Sequence, residues 1–311
     1  MKILISDKLQ EEGIEIFEKN GFEVVRDFSI TNDELKKEIE KYDGIVVRSR
    51  TKLTAEVLEN ATKLKVIGRA GAGLDNVDRK KAEELNIKVL NTPEAPAISV
   101  AEFALGLMFA LARYISVADK TMHRGEWNKN DYLGYTLHGK NLGLIGFGNI
   151  AKELAKRAIA LGMHVGVYSR FSAGPPAVEE AKNLGCKIYP TIEDLLKDAQ
   201  IISLHLPATP QTENLINDDR IKLMKKDTII INTARGQLVD EKALLKALKN
   251  KQIGGAALDV YKKEPLEDEE LWKFGENLIL TPHIASQSIE NQLDAATMIA
   301  EKMVNFLKTL K

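Results

Sequence analysis

The sequence has little cysteine, no surplus of charge of one sign and no long hydrophobic run, and each absence excludes a class of protein. Cys186 is the only cysteine among the 311 residues, so no intramolecular disulfide can form, and we expect a cytoplasmic protein. The formal net charge is -1, so we expect neither a nucleic-acid partner nor binding to an anionic membrane.

Two apolar segments are too short for membrane insertion or export. Residues 100–112 are apolar, but a membrane span needs about 20 residues. The apolar N-terminal residues are interrupted by Asp7 and Lys8, which is too early for a signal peptide. Hydrophobic residues make up 44% and charged residues 29%, as in ordinary globular proteins, and the length allows two domains.

A glycine motif, LGLIGFGNIA, occupies residues 142–151. An apolar run ends at Gly146 and a helical segment begins after Gly148, so the stretch predicts a strand, a tight turn and a helix. Gly148 would let the backbone approach a pyrophosphate, which the helix N-terminus attracts, and the small Ala151 would let helix and strand pack closely. The motif predicts a dinucleotide site; the alternative is a purely structural turn.

Short apolar runs alternate with helical segments over the first 93 residues. This alternation predicts an α/β fold with a parallel sheet, whose ligands meet the carboxyl ends of the strands. Arg48 and Ser49 end one predicted strand, and Arg69 ends the next, just before glycines at 71 and 73. Arginine forks and exposed backbone N–H groups bind carboxylate or phosphate oxygens. We therefore expect an anion site here rather than surface arginines paired with helix carboxylates.

Polar side chains recur at the predicted strand ends after the glycine motif. Hydride transfer from a 2-hydroxy acid to a nicotinamide needs a cation for the carboxylate, a base that titrates near neutral pH and a carboxylate that orients the base. Arg235, His283 and Glu264 have these chemical types, and a neighbouring carboxylate favours a protonated histidine. From the residues alone, His205 competes with His283 for the role of the base.

Four motifs, in this order and spacing, are similar to those of the D-isomer-specific 2-hydroxyacid dehydrogenases: LGLIGFGNIA, INTARGQLVD, GGAALDVYKKEP and LTPHIASQS. Nearer the N-terminus, VVRSRTKLT and GRAGAGLDNVD most resemble the phosphoglycerate dehydrogenase branch of that family. The resemblance covers essentially the whole chain, and we expect a short form without the C-terminal regulatory domain of longer relatives. It implies two doubly wound parallel-sheet domains. These are a Rossmann dinucleotide-binding domain, residues 94–283, and a flavodoxin-like substrate-binding domain, residues 1–93 and 284–311.

The resemblance also assigns roles to individual residues, and no metal is expected among them. The catalytic residues would be Arg235, Glu264 and His283. The substrate-binding residues would be Arg48, Ser49, Arg69, Gly71, Ala72, Gly73 and Asn76. The cofactor-binding residues would be Gly146, Gly148, Asn149, Ile150, Ser169, Arg170, His205, Leu206, Pro207, Thr212, Thr233, Ala234, Arg235, Asp259, His283 and Ala285.

A homodimer is implied as well. The apolar helix that we predict from Ala97 to Arg113, with helix continuing to about His123, would be a hinge or a subunit contact. A contact from the partner subunit to the substrate phosphate would fall on Lys129, where relatives often have arginine.

One position departs from the family pattern. The acidic residue expected about 20 residues after the glycine motif, which would bind the ribose 2′-OH, is Ser169, and Arg170 follows it. Loss of the acidic residue removes a repulsion towards a 2′-phosphate, and the arginine adds a cation. The resemblance implies NAD(H) as the default cofactor, so we expect NAD(H) to be slightly preferred, and the residues at 169 and 170 make NADP(H) possible.

Together with these residues, the resemblance implies an NAD(P)-dependent oxidoreductase of D-2-hydroxy acids that converts 3-phospho-D-glycerate to 3-phosphohydroxypyruvate, the entry to serine biosynthesis. Within the family, the alternative is a glyoxylate or hydroxypyruvate reductase, which needs no phosphate site. Outside the enzymes, the alternative is a dinucleotide-sensing protein without activity.

Overall fold

The computed structural model describes residues 1–169, 174–275 and 277–310. The chain divides into two compact units, Met1–Pro96 with Ser286–Lys311 and Ala97–Ala285. The boundaries expected from the sequence, 93/94 and 283/284, lie a few residues earlier in the chain.

In the first unit, the described residues form a five-stranded parallel sheet with the order β2-β1-β3-β4-β5. This is the flavodoxin-like order, so the predicted fold is confirmed. The strands are β1 (Lys2–Ile5), β2 (Glu23–Arg26), β3 (Gly44–Val47), β4 (Val66–Arg69) and β5 (Lys88–Asn91). The helices are α1 (Glu11–Lys19), α2 (Asn32–Glu38), α3 (Ala55–Leu58), α4 (Arg79–Glu84) and the C-terminal α13 (Ile289–Lys308).

Helix α13 packs on this sheet although it is remote from it in sequence. A Cβ on Gly68 of β4 would lie only 2.1 Å from the Sδ atom of Met303, so a glycine is needed where the helix crosses the strand. Ile299 and Leu307 of α13 are fully buried, in one apolar cluster with Phe17 of α1. The C-terminal segment therefore completes the core of the first unit.

In the second unit, the described residues form a seven-stranded parallel sheet with the order β12-β11-β10-β9-β6-β7-β8. The strands are β6 (Asn141–Ile145), β7 (His164–Tyr168), β8 (Lys187–Ile188), β9 (Ile201–Leu204), β10 (Ile229–Asn232), β11 (Gly255–Leu258) and β12 (Leu278–Leu280). Strands β9, β10 and β11 are buried at every position, as expected where helices cover both faces of a parallel sheet. The order is that of a Rossmann fold, which confirms the prediction.

In the second unit, two helices precede β6 and the others lie between successive strands. The helices are α5 (Ala97–Ala112), α6 (Ile115–His123), α7 (Asn149–Ala160), α8 (Pro175–Asn183), α9 (Ile192–Asp198), α10 (Asp218–Ile221), α11 (Glu241–Lys249) and α12 (Glu269–Lys273). Because β7 and β9 lie on opposite sides of β6, the order of the strands reverses at β6. Ligands of such sheets bind at this switch point.

Helix continues to His123, as predicted, but as a separate helix, because α5 and α6 meet at a bend of 64°. Tyr114 lies between them with φ of 54°, in the left-handed region that ends a right-handed helix. The carbonyl of Ala112, which the break leaves without a helical partner, accepts a hydrogen bond from the backbone N–H of Tyr135 at 3.0 Å. A Cβ on Gly134 would lie 2.2 Å from the same oxygen, so residues distant in sequence fit the broken helix closely.

No single helix among the described residues is long and apolar enough to cross a membrane. The bent pair α5 and α6 passes on combined length and composition alone.

Candidate active site

The glycine motif forms the turn between β6 and α7, at the switch point of the second sheet. Gly146 has φ of +101°, and a Cβ there would lie 2.4 Å from the carbonyl oxygen of His205, so both conformation and space require glycine. Gly148 is the N-cap of α7, and a Cβ on it would meet nothing within 4 Å. Ala151 is fully buried in the core that α7 shares with β6. The geometry is that predicted from the sequence.

The residues present at this turn fit a dinucleotide. The space in front of Gly148 leaves room for a phosphate beside the N-terminus of a twelve-residue helix, whose terminal N–H groups attract an anion. At the carboxyl end of β10, the buried hydroxyl of Thr233 has no hydrogen-bond partner among the described residues. A buried polar atom without a partner at a sheet edge is what a bound polar ligand would satisfy. Asn149 and Ile150 open α7 beside this space.

One further predicted cofactor position, Ser169, lies in the segment after β7. Ser169 directly follows Tyr168, the last residue of that strand, and so lies beside the carboxyl end of β6. Arg170 lies outside the described residues.

The loop after β9 carries His205, Leu206 and Pro207 at the same sheet edge. Thr212 closes this loop, because its hydroxyl donates to the carbonyl of Pro207 at 2.8 Å and accepts from the N–H of Thr209 at 2.8 Å. Thr212 is buried, and its hydrogen bonds fix the conformation of this loop. Its contact with a cofactor stays a prediction.

The two candidate histidines differ in their surroundings. Desolvation lowers the pKa of His205 to about 4, so its ring is neutral at neutral pH. Its Nε2 atom lies 2.9 Å from the hydroxyl of Ser203. His283 instead has its Nδ1 atom 2.7 Å from Oε2 of Glu264, and its side chain is 48% exposed. Of these two histidines, His283 has both a carboxylate partner and an open face.

Glu264 is itself held in place. Its Oε1 atom accepts a hydrogen bond from the backbone N–H of Tyr261 at 3.1 Å. The phenol of Tyr261 reaches the carbonyls of Leu258, at 3.0 Å, and Thr281, at 2.8 Å. Burial raises the pKa of Tyr261 to about 12, so the phenol remains protonated as a donor. Tyr261 therefore ties the carboxylate to the ends of β11 and β12.

Asp259 organises the segment that carries His283. It is fully buried, and one oxygen accepts hydrogen bonds from the Thr281 hydroxyl at 2.6 Å and from the N–H of Ile284 at 2.9 Å. The other oxygen accepts from the N–H of Ala285 at 2.8 Å. His283 has φ of 55°, so this clamp surrounds a residue in the left-handed region. The predicted contacts of Asp259 and Ala285 with the cofactor stay predictions.

Arg235 follows β10, with Thr233 and Ala234 before it. The buried side chain of Asn232 donates to the carbonyl of Arg235 at 2.9 Å and accepts from the N–H of Ala234 at 3.1 Å. A Cβ on Gly236 would lie 1.9 Å from the carbonyl carbon of Tyr261. The Arg235 loop thus lies directly against the segment that holds Glu264.

The candidate anion residues of the first unit lie at the carboxyl ends of β3 and β4. Arg48 follows β3, and its guanidinium donates to the side-chain oxygen of Gln292 on α13. Burial lowers the pKa of Arg48, while the charge of Asp7 acts in the opposite direction. Arg69 ends β4, and its guanidinium lies over Gly71. Gly71 has φ of +136°, a backbone conformation that favours glycine.

The turn of residues 71–73 is fixed by the neighbouring strand end. The N–H of Gly71 donates to the Thr92 hydroxyl at 2.8 Å, and the side chain of Asn91 donates to the carbonyl of Ala72 at 2.7 Å. Asn76 donates its amide N–H groups to the carbonyls of Arg48, at 2.7 Å, and Thr51, at 2.6 Å. A contact of Asn76 with substrate stays a prediction, as do those of Ser49 and Gly73.

Sequence reasoning missed the residues that hold these groups, namely the buried Asp7, Asn232 and Tyr261 and the partly buried Thr281. Asp7 lies just after β1, and Asn232 is the last residue of β10, so a polar residue at a predicted strand end was an available signal. Nothing in the sequence pattern marks the phenol of Tyr261. Among the described residues, no group of three or more His, Cys, Asp or Glu side chains could hold a metal ion.

Comparison with known proteins gives the family. Residues 105–285 match the model of the D-isomer specific 2-hydroxyacid dehydrogenase, NAD binding domain. A D-3-phosphoglycerate dehydrogenase of Methanocaldococcus jannaschii is 45% identical over 99% of this chain, which spans 58% of that protein's length. A hydroxypyruvate reductase of Thermotoga maritima is 43% identical, and 97% of each chain is covered.

Comparison with solved structures gives a similar fold over nearly the whole chain. The TT0316 protein of Thermus thermophilus has a TM-score of 0.88 and 34% identity, with 99% of this chain and 97% of that chain covered. The chain spans 58%, 58% and 54% of the length of three curated relatives that it matches. The match to residues 105–285 and the relative covered over nearly its full length show that the chain belongs to the D-isomer specific 2-hydroxyacid dehydrogenase family.

Proposed function

We propose that the protein is an NAD(P)-dependent dehydrogenase that oxidises 3-phospho-D-glycerate to 3-phosphohydroxypyruvate. The observation that carries this proposal is the contact of 2.7 Å between Nδ1 of His283 and Glu264, with the imidazole half exposed. Such a pair has the acid–base chemistry that a hydroxyl group needs. The similarity to D-3-phosphoglycerate dehydrogenases supports the choice of substrate.

In this mechanism, the side chains of the chain manage charge and protons. Nε2 of His283 takes the hydroxyl proton, and Glu264 stabilises the imidazolium that forms. Arg235 holds the substrate carboxylate and polarises the C2 oxygen. The nicotinamide dinucleotide, when bound, supplies the acceptor for the hydride. Residues at the glycine turn, Gly146 to Ile150, would hold its pyrophosphate.

The phosphate end of the substrate would be held by the first unit, through Arg48, Arg69 and the backbone N–H groups of residues 71–73. Arg69→Ala should lower kcat/KM for 3-phosphoglycerate by about 10- to 100-fold, because a charge-assisted bond to phosphate is lost. The measurement is steady-state kinetics with 3-phosphoglycerate, D-lactate, glycerate and glyoxylate, each with both cofactors. Arg79→Ala, an exposed arginine at the start of α4, is the control and should leave kcat/KM unchanged.

The same comparison tests the second candidate, a glyoxylate or hydroxypyruvate reductase. The relative from Thermotoga maritima, which matches over nearly its full length, favours this candidate. Turnover of glyoxylate or hydroxypyruvate well above that of the phosphorylated substrate, with no effect of Arg69→Ala, would select it. Tight NADH binding without turnover of any hydroxy acid would instead indicate a dinucleotide-sensing protein.

We propose that the protein uses NAD(H) with a slight preference, as the family resemblance implies. It also accepts NADP(H), because Ser169 replaces the expected acidic residue, which would repel a 2′-phosphate. Ser169→Asp should raise KM for NADP(H) at least about tenfold and leave KM for NAD(H) nearly unchanged, because the new carboxylate repels only the phosphorylated ribose. Steady-state kinetics with both cofactors measures this. Equal changes of KM for both cofactors would contradict the assignment of Ser169 to the ribose.

We propose further that two copies of the chain associate through the second unit. Large apolar side chains remain exposed along α5, α6 and the segment after them, and surfaces of this kind are typical of protein interfaces. They are Ile98, Phe109, Ile115, Met122, Trp127 and Leu133. Lys129, the candidate for a contact to the partner's substrate, lies in the same exposed segment.

A further inference from the structure

A buried carboxylate, Asp7, lies behind the loop that ends β3. Residues 48–51, which directly follow β3 in the first unit, are called the 48–51 loop. Asp7 follows β1, next to β3 in the sheet, and is only 4% exposed. One of its oxygens accepts from the N–H of Arg48 at 2.6 Å and from the N–H of Thr51 at 3.2 Å. The other accepts from the Thr51 hydroxyl at 2.7 Å.

The loop is held from its carbonyl side as well. Asn76 donates its amide N–H groups to the carbonyls of Arg48 and Thr51, at 2.7 and 2.6 Å. Two side chains from separate parts of the chain thus satisfy both the donors and the acceptors of one loop. A loop whose backbone is satisfied by side chains in this way keeps one conformation, and losing either side chain leaves polar groups unpaired.

The two arginines of the loop interact with Asp7 in different ways. The guanidinium of Arg50 lies 3.0 Å from the Asp7 carboxylate through its Nε atom, and it donates to the carbonyls of Ser6 and, at 3.0 Å, of Ile30. Arg50 is therefore committed to the support of the loop. Arg48 instead extends its guanidinium to Gln292 on α13, and it is the backbone N–H of Arg48 that meets Asp7.

We propose that Asp7 is a positioning residue that fixes the 48–51 loop, and thereby Arg48, for the phosphate-bearing end of the substrate. The assignment of that end to Arg48 rests on the proposed function. Asp7 needs no contact with substrate for this role, since both of its oxygens are occupied by the loop. Its effect should therefore appear in the affinity for the anion and not in the chemical step.

The test compares Asp7→Asn with Asp43→Asn. Asp43 is a matched control because it is equally buried in the same unit, accepts a backbone N–H from Lys2 at 2.7 Å, and precedes β3 at the opposite edge of the sheet. Asp7→Asn should raise KM for 3-phosphoglycerate at least about tenfold with kcat and NADH affinity little changed, because lost loop hydrogen bonds displace Arg48. Asp43→Asn should lower thermal stability similarly but leave KM unchanged.

A milder variant guards against misfolding of the first. Thr51→Val removes only the hydroxyl bond to Asp7 and should raise KM about threefold, since one hydrogen bond is lost. Amide hydrogen exchange at residues 48 and 51 gives a readout independent of catalysis, and it should be faster in Asp7→Asn than in either wild type or Asp43→Asn.

The outcomes separate this proposal from the proposed function. If the wild-type enzyme fails to oxidise 3-phosphoglycerate, the proposed function is wrong, and amide exchange still decides whether Asp7 fixes the loop. Unchanged KM in Asp7→Asn and Thr51→Val, or an equal rise of KM in Asp43→Asn, would overturn the positioning role. Unchanged amide exchange at residues 48 and 51 in Asp7→Asn would overturn it as well.

Discussion

The variant His283→Gln should lose turnover by about 10³-fold in kcat, because glutamine cannot take the proton of the substrate hydroxyl. Glutamine keeps a polar group of similar reach that can still meet Glu264, so the segment held by Asp259 should remain in place. NADH binding should therefore stay close to that of the wild-type protein. The measurements are kcat under saturating substrate and a fluorescence titration with NADH.

Two other histidines make this experiment specific. His164→Gln changes an exposed histidine at the start of β7 and should leave kcat unchanged. A His283→Gln enzyme that kept most of its activity would contradict the proposed mechanism and would assign the role of the base to His205. The structure argues against that outcome, because desolvation keeps His205 neutral, with a pKa of about 4, and so unsuited to accept a proton near neutral pH.

The fold was predictable because local patterns and general rules pointed to the same answer. Apolar runs alternating with helices predict a parallel sheet, and the family resemblance implied that each sheet is doubly wound. The break after Ala112 was not predictable from the helix sequence. Tyr114 has a left-handed backbone conformation at the break. Gly134 and Tyr135 pack against the Ala112 carbonyl, and these tertiary contacts are not visible in the helix sequence.

The candidate site divides in the same way. Because parallel strands place their carboxyl ends at one edge, the sequence alone could gather Arg235, Glu264 and His283 at the edge that carries the glycine turn. What it could not foresee is the support behind them. Asp259 and Asn76 were expected to contact ligands, and the structure shows that both also hold neighbouring loops. Asp259 accepts from the Thr281 hydroxyl and from two backbone N–H groups, and Asn76 donates to two backbone carbonyls. Such pairings depend on which loops meet, and no spacing in the sequence encodes that.

Replacement of Arg235 by glutamine should reduce kcat/KM by about 10³-fold, equivalent to about 4 kcal/mol of transition-state stabilisation. In the proposed mechanism, its guanidinium both holds the carboxylate and stabilises negative charge at the C2 oxygen, so binding and chemistry are lost together. Its Nη1 atom donates to the carbonyl of Ala234 at 2.6 Å, which keeps the guanidinium beside the end of β10. Arg235→Lys should fall between wild type and Arg235→Gln, because lysine keeps the charge without the planar fork.

The control for this series is Arg220→Gln. Arg220 also lies in the second unit and donates to a backbone carbonyl, that of Leu215, at 3.0 Å, but its other partner is Glu193. Its loss should affect the stability of the second unit slightly and leave kcat/KM unchanged. If Arg220→Gln and Arg235→Gln reduced kcat/KM equally, the effect would be general to the unit, and the assignment of the substrate carboxylate to Arg235 would be wrong. If kcat alone fell and KM did not rise, Arg235 would stabilise only the developing charge, and another cation would have to hold the carboxylate.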